Sequence, residues 1–237
     1  MKADYNYIEI AKMIDHSLLN PALTAAELDR GCRLAREHDV ASVCILPYYL
    51  ARCAELLSGS DVQPSTTVGF PHGAHSTKVK LAEVEQALKD GGRELDVVIN
   101  ISKALSGDWE YIRSEVELLT RATHARSAKV KIIFENAYLD NAAKITLCQL
   151  CGEIGVDWVK TSTGFAASGA AAADVRLMRT HSPRQVQIKA AGGIRTLDTL
   201  LEMRASGASR VGSSSTEQIL AECRHRLKLQ EQPAEVL

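Results

Sequence analysis

The sequence predicts an α/β protein built as a single (β/α)8 barrel, and three observations carry that expectation. About eight short apolar runs alternate with stretches whose apolar residues recur at helical spacing. No glycine-serine linker, composition break or internal repeat divides the chain beyond this alternation. Strands that alternate with helices run parallel through right-handed crossovers, and eight such units in 237 residues suit a closed barrel better than an open sheet. One domain over residues 1–237 is expected, with a polar tail at about 228–237, containing Pro233, that frays.

A short extra helix over Asn6 to Lys12 opens the chain and leads into Met13 to Ser17, a short strand with a carboxylate inside it. Thr24, followed three residues later by Glu27, forms a capping box, and Leu28, Cys32 and Ala35 continue at helical spacing. Ala41 to Leu46 is the second strand, stopped by Pro47, and a helix follows from Tyr48 to Leu57. After the turn at Ser58-Gly59-Ser60-Asp61, the third strand is expected over Ser65 to Phe70. Leu81, Val84 and Leu88 mark a helix that ends at Gly91-Gly92, and Glu94 to Ile99 is the fourth strand. A helix from Asp108 to about Ala125 precedes the fifth strand, Lys129 to Phe134, which Glu135-Asn136 closes. The helix Asn141 to Glu153 stops at Gly155, and Val156 to Lys160 is the sixth strand. A helix over Ala172 to Thr180, the strand Val186 to Ala190, a helix over Leu197 to Ala205 and the strand Ser209 to Gly212 complete the series.

Composition narrows the function. Lys and Arg total 28 against 29 Asp and Glu, so a net charge of -1 leaves no basic footprint for nucleic acid. No run approaches the roughly 18 apolar residues of a membrane span, and the start Met1-Lys2-Ala3-Asp4-Tyr5 has no apolar signal core. A soluble cytoplasmic protein with no membrane partner is expected. Six scattered cysteines lack the spacing of a disulfide framework, and the lone Cys148-x-x-Cys151 falls on a helical pattern where core packing outweighs redox or zinc chemistry.

Active sites of such barrels lie at the C-terminal ends of the strands. Four ionisable residues converge there in this reading: Asp15 near the end of strand one, Asp96 inside strand four, Lys160 ending strand six and Lys189 near the end of strand seven. Taken singly, each has a structural reading, such as a buried carboxylate with a lysine partner. Strand alternation places Asp96 with Val98, and Lys189 with Gln187, on one face, so that the polar face lines the barrel interior.

The paired lysines suggest imine chemistry. With an ordinary pKa of about 10.4, about one lysine in 2,500 is neutral at pH 7. Partial desolvation and a second cation can lower that pKa by roughly 3, worth about 4 kcal/mol. Lys189 is placed to be that cation for Lys160, whose neutral amine would attack a carbonyl, with Asp96 and Lys189 moving protons through a bound water. The segments Ala190 to Arg195 and Gly212 to Thr216 bring backbone N–H groups and helix starts together after strands seven and eight, which suits a phosphate. A metal-dependent aldolase would need clustered ligands, and only His72 and His75 are closely spaced, so no metal and no cofactor is expected. No dinucleotide glycine motif, Walker loop or nucleophile elbow is present.

Six segments, Ile14-Asp15-His16-Ser17-Leu18-Leu19, Val68 to Gly73, Glu94 to Asn100, Val159 to Phe165, Lys189 to Arg195 and Arg210 to Ser215, resemble the motifs of the deoxyribose-phosphate aldolase family in order over nearly the whole chain. The resemblance implies a class I aldolase on a TIM barrel that reversibly cleaves 2-deoxy-D-ribose 5-phosphate to D-glyceraldehyde 3-phosphate and acetaldehyde. It assigns the Schiff base to Lys160, proton transfer to Lys189 and Asp96, support of that relay to Asp15, and substrate or phosphate contacts to Thr163, Gly164, Gly192, Gly193, Gly212 and Ser214. It also implies a homodimer as a common assembly. Two segments depart from the pattern, Glu135-Asn136 and Ala166 to Ala171, and both are expected at the mouth, where they would bear on substrate preference. A Schiff-base aldolase for another phosphosugar and a non-catalytic phosphosugar-binding barrel are the alternative functions.

Overall fold

The computed structural model describes residues 4–228; the tail expected beyond Lys228 lies outside them. Eight parallel strands close into one barrel in sequence order: β1 (Ile14–Leu18), β2 (Ser42–Ile45), β3 (Gln63–Val68), β4 (Glu94–Val98), β5 (Lys129–Ile133), β6 (Trp158–Lys160), β7 (Gln187–Ala191) and β8 (Arg210–Ser213), with β8 returning to β1. Around them run α1 (Tyr7–Ala11), α2 (Ala25–Glu37), α3 (Leu50–Leu56), α4 (Thr77–Lys89), α5 (Ile101–Leu105), α6 (Trp109–His124), α7 (Asn141–Ile154), α8 (Ala172–His181), α9 (Leu197–Ala205) and α10 (Thr216–Leu227). No helix among the described residues is long and apolar enough to cross a membrane.

Local chemistry sets many of the boundaries. Thr24 caps α2 by accepting from the Glu27 N–H while Glu27 accepts from the Thr24 N–H, as the capping box predicts. Asn6 and Glu9 repeat the device on α1, and Asp108 and Asp140 cap α6 and α7 through single carboxylate contacts. Gly155, at φ 80°, ends α7 in the left-handed conformation that a side chain would resist.

Three expectations are corrected. The third strand starts at Gln63 and ends at Val68: Pro64 lacks only its own donor, while its carbonyl still accepts from the Arg93 N–H. The sixth strand is shorter than expected, because Val156 bonds back to the Cys151 carbonyl and so belongs to the exit from α7. A five-residue helix, α5, stands where sequence periodicity gave none, capped by the Asn100 side chain on the Lys103 N–H.

Strand alternation sorts the two barrel faces. Val43, Ile45, Leu95, Val97, Val130, Ile132, Val159, Ile188, Ala190 and Val211 point outward into the core beneath the helices. Their alternates point inward and include seven charged residues, Asp15, Glu94, Asp96, Lys131, Lys160, Lys189 and Arg210. Cys148 and Cys151 are buried in α7 with the core, and burial pushes the Cys148 thiol up to about 11, as packing rather than redox chemistry requires.

Candidate active site

The barrel interior holds a charge network closed on itself. Asp96 lies at its centre: one carboxylate oxygen accepts from Lys160 and from Lys189, each at 2.7 Å, and the other accepts from Lys131 at 2.9 Å. Asp15 lies 2.5 Å from Lys189 Nζ and 3.2 Å from Lys131 Nζ, and its other oxygen accepts from Arg210 at 2.5 Å. Glu94 ties Lys131 to Arg210 at 2.6 and 3.1 Å. The Trp158 ring, level with Lys131 in the register of β5 and β6, is faced by Lys131 at 5.8 Å and Arg210 at 5.1 Å. The proton relay expected to run through a bound water thus has direct contacts between Asp96 and both amines.

Register explains the convergence. Lys160 pairs with Lys189 across β6 and β7, and Asp96 pairs with Lys131 across β4 and β5, so like levels of neighbouring strands present their charges together. Four cations, Lys131, Lys160, Lys189 and Arg210, face three carboxylates, Asp15, Glu94 and Asp96. Removal of one proton balances the set. In a dry interior an unbalanced charge is costly, so the least supported cation is the one that loses it.

Lys160, paired with Asp96 alone, has the least support. Burial pulls its amine below the ordinary lysine range, and although Asp96 opposes this, repulsion from Lys189 adds to it. Burial acts on Lys189 in the same sense, but Asp15 and Asp96 together more than reverse it and hold the amine above the usual range. Lys131 is held well above that range, because Asp15, Asp96 and Glu94 outweigh its burial. Asp96 and Asp15 are kept well below the carboxylate range: burial works against this, and the surrounding cations override it. The interior therefore lowers the pKa of one lysine, Lys160, and raises those of its neighbours Lys189 and Lys131.

Above Lys160 opens a cavity of about 610 Å³. Thr163, Gly164, Gly192, Gly193, Gly212 and Ser214 all line it, together with Leu18 at the end of β1 and Leu19 and Pro21 from the loop that follows. The N–H groups of Gly164, Gly193 and Ser214 donate to no backbone acceptor among the described residues. At Gly192, with φ 87°, a Cβ would come within 2.8 Å of Gly169 Cα; a Cβ on Gly169 would lie 2.3 Å from the Gly192 carbonyl oxygen. Both positions need glycine so that the strand-six and strand-seven loops can touch.

Several placements differ from expectation. The Thr163 hydroxyl is engaged by Glu135 and accepts from the Phe165 N–H, so it is turned away from a free role in the cavity. Asn136, expected at the mouth, is buried against α8: its amide donates to Asp174 Oδ2 at 3.2 Å and to Met178 Sδ at 3.4 Å. The Ala166 to Ala171 segment bonds to the loop after β7, Ala170 N–H donating to the Gly192 carbonyl at 3.1 Å. His72 and His75 are exposed, and His75 lies 3.5 Å from Glu83. No set of three or more His, Cys, Asp or Glu side chains that could hold a metal ion occurs among the described residues.

Lys131, Glu94 and Arg210 were not anticipated as parts of the network. Alternation carried the signal for Glu94, which shares a face with Asp96, whereas Lys131 is placed only by its register opposite Asp96 on β5.

Comparison with known proteins places the chain in a family. The family model described as DeoC/LacD family aldolase matches residues 9–214. A deoxyribose-phosphate aldolase of Rhodopirellula baltica is 58% identical over 225 residues, covering 95% of this chain and 93% of that protein. One from Thermococcus gammatolerans is 42% identical over 220 residues, covering 92% of this chain and 98% of the relative. Among solved structures, a tetrameric deoxyribose phosphate aldolase from Aeropyrum pernix superposes with a TM-score of 0.86 at 28% identity, covering 92% of each chain. On this match and these identities, the chain belongs to the DeoC/LacD family of aldolases.

Proposed function

We propose that the protein reversibly cleaves 2-deoxy-D-ribose 5-phosphate to D-glyceraldehyde 3-phosphate and acetaldehyde through an imine on Lys160. The observation that carries this reading is a fully buried lysine at the floor of the cavity whose pKa is lowered while its neighbour's is raised. Paired relatives that are named deoxyribose-phosphate aldolases support the substrate.

The neutral amine attacks the aldehyde carbon of the open-chain sugar, and loss of water leaves a protonated imine. A base then takes the proton of the C3 hydroxyl, the C2–C3 bond breaks, and its electron pair moves into the imine as an enamine while glyceraldehyde 3-phosphate departs. Protonation of the enamine at C2 and hydrolysis release acetaldehyde and return the amine. Asp96, in contact with both Lys160 and Lys189, and Lys189 are the groups we assign to these proton transfers, with Asp15 favouring the charged form of Lys189. Gly164, Gly193 and Ser214 supply backbone donors for the phosphate at the open side of the cavity, and Gly192 and Gly212, which also line it, let the phosphate come close. The Thr163 backbone N–H is already bound by Glu135, so its contribution there is to shape the turn.

We infer a cytoplasmic protein, supported by six free, buried cysteines of the kind a reducing compartment maintains. A homodimer is the assembly we infer, and the tetrameric Aeropyrum relative supports self-association. Acetaldehyde release from 2-deoxyribose 5-phosphate, measured with and without a chelator, tests the function: turnover unchanged by the chelator is expected, and turnover abolished by it contradicts the imine route.

A further inference from the structure

Glu135 carries two structural costs at one residue. Its backbone has φ 58° and ψ 67°, a left-handed conformation that side chains resist, and of the non-glycine residues with positive φ it alone is buried. Its carboxylate is 2% exposed and has no cation within ion-pair distance among the described residues. What binds it is Thr163: the backbone N–H reaches the two oxygens at 3.3 and 3.2 Å, and the hydroxyl donates to one of them.

The kink has a consequence for register. Phe134 N–H donates to the Lys160 carbonyl at 3.0 Å, and Asn136 N–H donates to the Thr161 carbonyl at 2.8 Å. Two residues advance on the β5 side while one advances on the β6 side, which is the geometry of a bulge with Glu135 as the extra residue. The bulge turns the carboxylate onto the chain three residues past Lys160. On the opposite flank, the Thr161 N–H donates to the Lys189 carbonyl at 3.1 Å, so the turn is held from both sides.

We propose that Glu135 is a positioning residue that fixes the turn Lys160 to Gly164, setting the approach of the Lys160 amine to substrate through its grip on Thr163. This rests on the imine reading of Lys160. Local strain and a buried carboxylate with no cation beside it persist only where the surroundings over-determine them, and here both fall on the segment that leaves the reactive strand.

Glu135→Gly removes the side chain while glycine accepts the backbone angle, and rates are read per folded molecule so that lost stability does not mimic lost positioning. Loss of hydrogen bonds to a charged group predicts a fall in kcat of about tenfold to a hundredfold, with KM changed less than threefold or so. Borohydride trapping of acetaldehyde on Lys160 should slow by a similar factor. Glu135→Gln, which can accept from the Thr163 N–H and donate to its hydroxyl, should restore most of the rate. Wild-type rates per folded molecule in Glu135→Gly, or no rescue by Glu135→Gln, would overturn the proposal while wild-type trapping on Lys160 still stood. Absence of trapping in the wild-type protein would instead remove the imine reading and this proposal with it.

Discussion

Lys160 and Lys189 donate to the same carboxylate oxygen of Asp96, each at 2.7 Å, yet their surroundings move their pKa values in opposite directions. The difference lies in Asp15, which lies 2.5 Å from Lys189 Nζ and supports its charge, while Lys160 has Asp96 alone. A second carboxylate thus decides which lysine stays a cation and which can become a nucleophile.

Replacing Lys189 with methionine tests this division of labour. Repulsion from Lys189 helps to lower the Lys160 pKa, so its removal raises that value and shrinks the neutral fraction near pH 7. The expected result is a loss of kcat/KM of about a hundredfold or more, with the acid limb of its pH profile moved to higher pH. An unmoved limb in residual activity would mean that Lys189 does not tune Lys160.

Asp96→Asn should cost both activity and stability. It leaves Lys131 and Lys189 with fewer counter-charges in a sealed interior, a change worth about 3 kcal/mol or more. Urea unfolding at neutral pH measures it, and a midpoint equal to the wild-type value would show that the network is not held as described.

Much of this arrangement was legible in the sequence. The capping box of Thr24 and Glu27, the alternation that put Asp96 and Lys189 on one face, and the lysine at the end of strand six all follow from local rules. Lys131 was not legible as an interior residue, because Lys129 and Lys131 read together as the charged start of a strand; only the register against Asp96 separates an exposed Lys129 from a buried Lys131. Arg210 was hidden in the same way, since its partners Asp15 and Glu94 are distant in sequence. The inward turn of Asn136 toward Asp174 depends on where α8 packs, which local pattern does not fix.

Acid should destabilise the protein in two stages. Burial pushes His16 down to about 4, from an ordinary value near 6.5, while it accepts or donates a 2.8 Å hydrogen bond with Thr216. Between about pH 6.5 and 4 the unfolded chain takes up a proton that the folded state refuses, so stability is full above this window and falls through it by about 3 kcal/mol. Asp15 and Asp96 act lower: their folded pKa values are depressed, so their contribution is intact above about pH 4 and is lost as pH falls below it. Thermal unfolding across this range should show both stages, and His16→Gln should flatten the first and spare the second. A first stage that persists in His16→Gln would assign it to another group.

The central claim is that a neutral Lys160 forms an imine. Incubation with acetaldehyde and borohydride, followed by intact-mass and peptide mass spectrometry, reads it directly. One N-ethyl group per chain, located on Lys160 and absent from Lys160→Ala, is the predicted result; an unmodified chain, or an adduct of equal yield in Lys160→Ala, would contradict it.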